Sequence, residues 1–363
     1  MKTYIITFQS AKNYGAVLQA HALQCYLDYK YGNVSIIDYR NPNVEKNYSF
    51  PSLKNVLSNP QNALFRMIQS ILYRGKYKKI TEFKEKKMKL TIPCDSQSVK
   101  MITTDGDVFI TGSDQVWNYL ITGEDETYFL GFVTNKITCS YAASFGIAEI
   151  PQNHLVFYER GLKKISHISV RENQGKQILD TMGIKGVQVL CDPTLLLERS
   201  FWLKLCESPK NRGKYILVYK ITTVDNLLDF ARNLSQKTKL PVVYIPNDLK
   251  SGCIGSLKLN VGVEQWLGYI KNAEYVVTNS FHGTVFSILF GRKFFSEVSR
   301  KVNPSTSRLL TLLEMFHLKE RIIADYKEFL LFKELDMLEI DRVLFQQRKM
   351  TEEFFQTVYK EVK

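Results

Sequence analysis

The stretch AEYVVTNSFHGTVFSILFGRKFF, residues 273–295, sets the reading of the whole chain. Tyr275, Val276 and Val277 form a short β-branched and aromatic run, the mark of a buried strand. Thr278, Asn279 and Ser280 are cap formers, and the apolar segment 285–290 closes at Gly291, the usual C-terminal stop. A strand, a tight turn and a helix therefore follow one another, with His282 at or just before the helix start. Free N–H groups and the positive end of the helix dipole meet at that point, which favours an anion. His282 is thus a candidate acid for a phosphorylated substrate. The plainer alternative is a histidine that only caps a turn.

The same unit recurs along the chain. Residues 4–8, 34–38, 107–111, 137–141, 167–170 and 187–190 read as strands, most of them separated by helical patterns, which predicts a doubly wound α/β domain. After TLLLERSFW the pattern restarts, with strands at 215–219, 242–245, 275–277 and 293–298 and helices at 224–235 and 263–271. The expected organisation is an N-terminal domain over 1–192, a linker over 193–212 and a C-terminal domain over 213–330. A final helix within 331–363 folds back across both. Two Rossmann-like domains in tandem leave an interdomain cleft, and parallel sheets bind ligands at the carboxyl ends of their strands. Asn13, Tyr14 and Gly15 fall at one such end. Gly112, Ser113 and Asp114 fall at another, where the glycine permits a sharp turn and the aspartate presents a carboxylate. Trp117 beside them either stacks on a sugar or packs beneath the loop. Neither G-x-G-x-x-G nor a P-loop is present, which weighs against dinucleotide and P-loop chemistry.

Composition narrows the classes. The six cysteines are scattered with no C-x-x-C pair, which predicts reduced thiols and no zinc site; no metal is expected. The five-residue semi-apolar run after Lys2 is too short for a signal-peptide core, and no run approaches 18 apolar residues. These features predict a cytoplasmic protein. A formal charge of +13 calls for an acidic partner, and nine Lys/Arg fall between Arg66 and Lys89 against only Glu82 and Glu85. Residues 61–73 are amphipathic. The segment 61–89 is either a solvated helix face or a helix lying on an anionic membrane surface, at the inner face of the cell membrane. No nucleic-acid-binding module is present, so nucleic acid is not the expected partner.

Six segments in order complete the pattern: NYGAVLQAHAL (13–23), GSDQVWN (112–118), SYAASFG (140–146), ISVRE (168–172), CDPTLLL (191–197) and NSFHGTVFSILFGRKFF (279–295). Together they resemble the polysaccharide pyruvyltransferase family of bacterial capsule and exopolysaccharide clusters. The resemblance implies a GT-B-like arrangement of the two domains. It also implies transfer of a pyruvyl unit from phosphoenolpyruvate, as co-substrate and with no other cofactor, to a lipid-linked or nucleotide-linked sugar. Arg171 matches the family's arginine position, and Lys301 falls where relatives carry a second basic residue, with Arg300 and Arg308 as alternatives. Some relatives have a Gly-rich loop at Gly112–Ser113–Asp114 and Arg-Leu-His where this chain has Ser280–Phe281–His282. In the reaction so implied, His282 donates the proton or holds the departing phosphate, and Asp114 accepts the acceptor's hydroxyl proton.

Three rivals stay open. One is a GT-B glycosyltransferase that uses a nucleotide sugar. Another is a non-catalytic glycan-binding protein of the same fold. The third is a serine esterase acting through Ser144, whose AASFG surroundings approach a nucleophile elbow but lack the helix that motif needs directly afterwards.

Overall fold

A computed structural model of the chain describes residues 1–46, 48, 60–209, 213–221, 226–247, 252–298 and 304–362. The first sheet comprises β1 (Thr3–Ile6), β2 (Val34–Ile36), β3 (Val108–Thr111), β4 (Ile137–Ala143), β5 (His167–Val170) and β6 (Gln188–Val189), in the order β2-β1-β3-β4-β5-β6. The second comprises β7 (Ile216–Lys220), β8 (Val242–Pro246), β9 (Ser256–Leu257), β10 (Tyr275–Thr278) and β11 (Lys293–Ser296), in the order β11-β10-β7-β8-β9. Every named pairing is parallel. Central strands such as VFIT and YVVT are buried along their whole length, as strands covered on both faces must be. These are two Rossmann-like lobes in a GT-B-like arrangement.

In each sheet the strand order reverses once, between β1 and β3 and between β7 and β10. Crevices form at the carboxyl ends of strands beside such reversals. The helix Tyr14–Tyr31, buried from Tyr14 through Leu23, runs between the lobes and lies against the helices Val263–Asn272 and Phe281–Leu289 of the second. Its first residue anchors it across the interface: Tyr14 stacks on Trp266 with ring centres 5.2 Å apart and donates a hydrogen bond to the Val261 carbonyl at 2.8 Å. One apolar core runs through both lobes, from Ile5 and Leu23 to Leu217 and Phe286. The lobes are therefore fused along one side, and the space left between them is small.

The C-terminal helix Met337–Lys360 returns to the first lobe. Tyr359 meets Thr3 at 2.9 Å, Thr351 meets Tyr141 at 3.1 Å, and the Phe355 ring packs on Tyr141. Two expected elements end differently. The first strand stops at Ile6 instead of continuing to residue 8, because Thr7 turns its hydroxyl to the Ser113 carbonyl at 2.9 Å. The basic segment is two helices, Pro60–Leu72 and Arg74–Lys87, parted at Tyr73, which is buried and donates to the Pro246 carbonyl of the opposite lobe.

Candidate active site

His282 is the second residue of the helix Phe281–Leu289, whose N-cap Ser280 accepts from the Gly283 N–H at 3.1 Å. Asn279 turns inward and accepts from the Ile221 N–H at 2.9 Å, tying the end of β10 to the end of β7. Across the interface, Asn13 caps the helix Tyr14–Tyr31 by accepting from the Gly15 N–H at 2.9 Å. A Cβ placed on Gly15 would lie 2.0 Å from Nδ1 of His282. The imidazole therefore rests directly on the glycine, and the N-termini of two helices from two lobes converge on it. Both ends carry unpaired N–H groups and positive dipole, so they reinforce each other as an anion site.

The first lobe supplies a buried ionic chain. Arg171, at the tip of β5, donates to Asp192 Oδ2 at 2.7 Å and lies 3.4 Å from Asp114 Oδ1. Its guanidinium also sits over the Phe281 ring, 4.7 Å from the centre, linking the lobes. Burial opposes its charge, but Asp192, Asp114 and Glu172 hold its pKa above the ordinary value. Asp192 accepts further from the Thr194 amide at 3.0 Å and the Thr194 hydroxyl at 2.6 Å. Burial alone would raise its pKa; His282, then Arg171, together with the Thr194 hydroxyl, bring it well below the carboxylate range. Nε2 of His282 faces Asp192 Oδ2 at 3.4 Å, close enough for attraction, yet it is left without a hydrogen bond.

A cavity of about 200 Å³ opens beside this array, lined among others by Asn13, Asp114, Asn279, Ser280, His282, Arg308 and Tyr48. Arg308 belongs to the helix Pro304–Met315 and is buried. Its Nε has no hydrogen-bond partner, and among the described residues it joins no ion pair. Burial and the nearby Arg171 charge push its pKa down to about 10. Glu172, Asp114 and Asp192 offset this only in part; a buried guanidinium that no carboxylate contacts is costly, and a bound anion is the usual remedy.

The residues singled out in the sequence thus fall in one place: Asn13, Tyr14 and Gly15 at one helix start, Gly112 to Asp114 at the end of β3, Arg171 at the end of β5, and Asn279, Ser280 and His282 at the end of β10. Ser113 is buried behind Asp114 and donates to the Ala142 carbonyl at 2.9 Å, so it supports the loop. Gly112, at φ 110°, passes under the Tyr141 carbonyl where a Cβ would clash at 2.5 Å. Lys301 and Arg300 lie outside the described residues. Asp192 was not foreseen, because its cap of Thr194 is the only role its neighbours in sequence display. Tyr48, in a proline-rich connection, gave no signal either.

Two other expectations resolve against a ligand role. Trp117 is buried, stacks on Phe129 at 5.5 Å and donates to the Tyr128 carbonyl, so it packs beneath the loop and is not open to a sugar. Ser144 donates to Glu172 Oε1 at 2.9 Å, and the next α-helix begins only at Leu155, which removes the elbow that an esterase needs. Among the described residues no group of three or more His, Cys, Asp or Glu could hold a metal ion, and no helix is long and apolar enough to cross a membrane.

The family model described as polysaccharide pyruvyl transferase matches residues 13–296, which contain every element of the array except Arg308. No curated protein matches the chain. Among solved structures it is similar to UDP-N-acetylglucosamine 2-epimerase from Rickettsia bellii, at 9% identity over 99% of this chain and 97% of that one, with a TM-score of 0.47. It is likewise similar to S. aureus MnaA with UDP, at 11% identity over 95% of each chain with a TM-score of 0.48. A third is E. coli heptosyltransferase WaaC with ADP, at 10% identity over 98% and 100% with a TM-score of 0.39.

Proposed function

Because the chain belongs to the polysaccharide pyruvyl transferase family, we propose that it moves a pyruvyl group from phosphoenolpyruvate to a sugar of a bacterial surface-polysaccharide precursor. The product is a pyruvate ketal, and phosphate is released. The observation that carries this reading is Arg308: a buried cation with a partnerless Nε and no ion pair among the described residues, beside two converging helix N-termini, at a cavity of about 200 Å³. That volume is below the roughly 300–1,000 Å³ typical of drug-sized ligands, which favours a compact anion over a nucleotide sugar.

In this account Arg308 and the helix N-termini receive the phosphate and carboxylate of the donor. His282 delivers a proton to the methylene carbon, leaving an oxocarbenium-like centre at C2. A sugar hydroxyl adds there and Asp114 takes its proton, which then leaves with the phosphate as the C2–O bond to phosphate breaks; a neighbouring hydroxyl closes the ketal at C2 and its proton returns to His282. Arg171 and Asp192 do not leave their places; they fix Asp114 and the imidazole relative to each other. Fixed dipoles and charges of this kind stabilise developing charge without reorganising during the reaction. The donor acts as co-substrate, and the residues named here call for no other cofactor.

The test is phosphate release from phosphoenolpyruvate with an acceptor glycan, with the new ketal methyl followed by NMR. The wild type is expected to turn over, and His282→Ala to lose about 10²–10⁴-fold in kcat, the usual contribution of a general acid. Thermal stabilisation by UDP or CMP with none by phosphoenolpyruvate would instead establish the nucleotide-sugar rival.

A further inference from the structure

The helix Pro60–Leu72 is turned the wrong way round for a surface helix. Leu64, Met67, Ile68, Ile71 and Leu72 recur at helical spacing and form one stripe, and their exposures are 59, 41, 46, 64 and 38%. A surface helix ordinarily points such a stripe at the core. Here the polar positions do the anchoring: Arg66 donates to the Lys46 carbonyl of the first lobe, and Gln69 to the Asn247 carbonyl of the second at 3.4 Å. Tyr73 and Lys76 complete the attachment. Tyr73 bonds the Pro246 carbonyl, and the buried Lys76 ammonium bonds the Asn247 side chain at 3.1 Å. The helix is thus pinned across both lobes by its polar side, with its apolar side in solvent.

The following helix, Arg74–Lys87, continues from it with Arg74, Lys78, Lys86 and Lys87 exposed, and Lys89 lies just beyond. Against them stand Glu85, which is exposed, Glu82, which lies 3.9 Å from Lys78, and Asp28, which lies 2.7 Å from Lys89, so Arg74, Lys86 and Lys87 remain outside these pairs. An apolar stripe next to a cationic one matches the acyl boundary and the anionic headgroups of a bilayer, and it does not match a neutral protein groove. We propose that these two helices form a docking face for an anionic lipid bilayer, the apolar stripe entering the headgroup region and the lysines lying on it. Tyr48, which lines the cavity, packs edge-on against the half-buried Tyr77 of the second helix at 6.1 Å, so the helix that carries the lysines also abuts a residue of the site. Resting on the pyruvyl-transfer reading above, this placement names the acceptor's carrier: a sugar held at the membrane by a lipid, not one free in solution.

Co-sedimentation of the full chain with phosphatidylglycerol and with phosphatidylcholine vesicles tests the face. The wild type is expected to bind the anionic vesicles at least 10-fold better and to be released by salt. The triple change Leu64→Ser, Ile68→Ser, Ile71→Ser, and separately Lys78→Gln, Lys86→Gln, Lys87→Gln, should each weaken that binding 10-fold or more. The phosphoenolpyruvate-induced thermal shift of both variants should stay at the wild-type value, which controls for folding. Equal binding to both vesicles, wild-type binding by the serine variant, or a dimer that the serine variant dissociates would overturn the proposal. Vesicle binding requires no donor, so a chain that docks without releasing phosphate refutes the pyruvyl reading alone.

Discussion

Two buried arginines stand near each other at this site, Arg308 lining the cavity and Arg171 behind it, and their circumstances differ. Arg171 is answered on its own lobe by Asp192 at 2.7 Å and Asp114 at 3.4 Å, and capped by the Phe281 ring. Arg308 is also buried, but its Nε has no partner and among the described residues it joins no ion pair, although Glu172, Asp114 and Asp192 act on its charge from farther off. A paired buried cation organises its neighbours and is poorly placed to receive a ligand. An unpaired one destabilises the empty protein and gains most when an anion arrives. Arg171 therefore acts as scaffold, and Arg308 is the cation that the proposed reading assigns to the negative charge of the substrate.

Removing the scaffold cation should have the largest effect. Arg171→Met removes the cation that contacts both Asp192 and Asp114, and breaking such a buried pair costs about 3–5 kcal/mol. Denaturant melts should show that loss, and an unchanged midpoint would mean the pair contributes nothing to order in this region. Gly15→Ala comes next. Its new methyl would meet Nδ1 of His282 at 2.0 Å, so the imidazole must move. Misplacing a catalytic group by about 1 Å costs roughly 100-fold in rate, so kcat should fall by that order while donor binding through Arg308 persists. If Gly15→Ala keeps full activity, His282 is not positioned by this contact.

How much of this could be read from residues alone follows the range of the interactions. The strands of both sheets were legible, except the two-residue exposed β9, because a parallel strand covered on two faces is a continuous apolar run, as in VFIT and YVVT. The cap at Ser280 and the start of the Tyr14–Tyr31 helix at Asn13 were legible because capping is local. Asp192 was not, since its bond to Arg171 and its approach to His282 join three separate strand ends. The break at Tyr73 was hidden for the same reason: its cause is a carbonyl on the other lobe. Arg308 stood in the sequence as one of several basic alternatives, and only its burial without an ion pair among the described residues sets it apart. The orientation of the Leu64–Ile71 stripe was equally invisible, because a periodic pattern states that a helix has an apolar side and not which way that side faces.

The most direct test of the contrast is a calorimetric titration of phosphoenolpyruvate into the wild type and into Arg308→Met, with melting temperatures of both ligand-free proteins. The account predicts donor binding by the wild type and loss of at least about 10-fold in affinity in the variant, close to 1.4 kcal/mol. It also predicts that the empty variant melts a few degrees higher, about 2–4 °C for each 1 kcal/mol recovered in a chain of this class. Unchanged affinity in Arg308→Met, or an empty variant that melts lower, would contradict it.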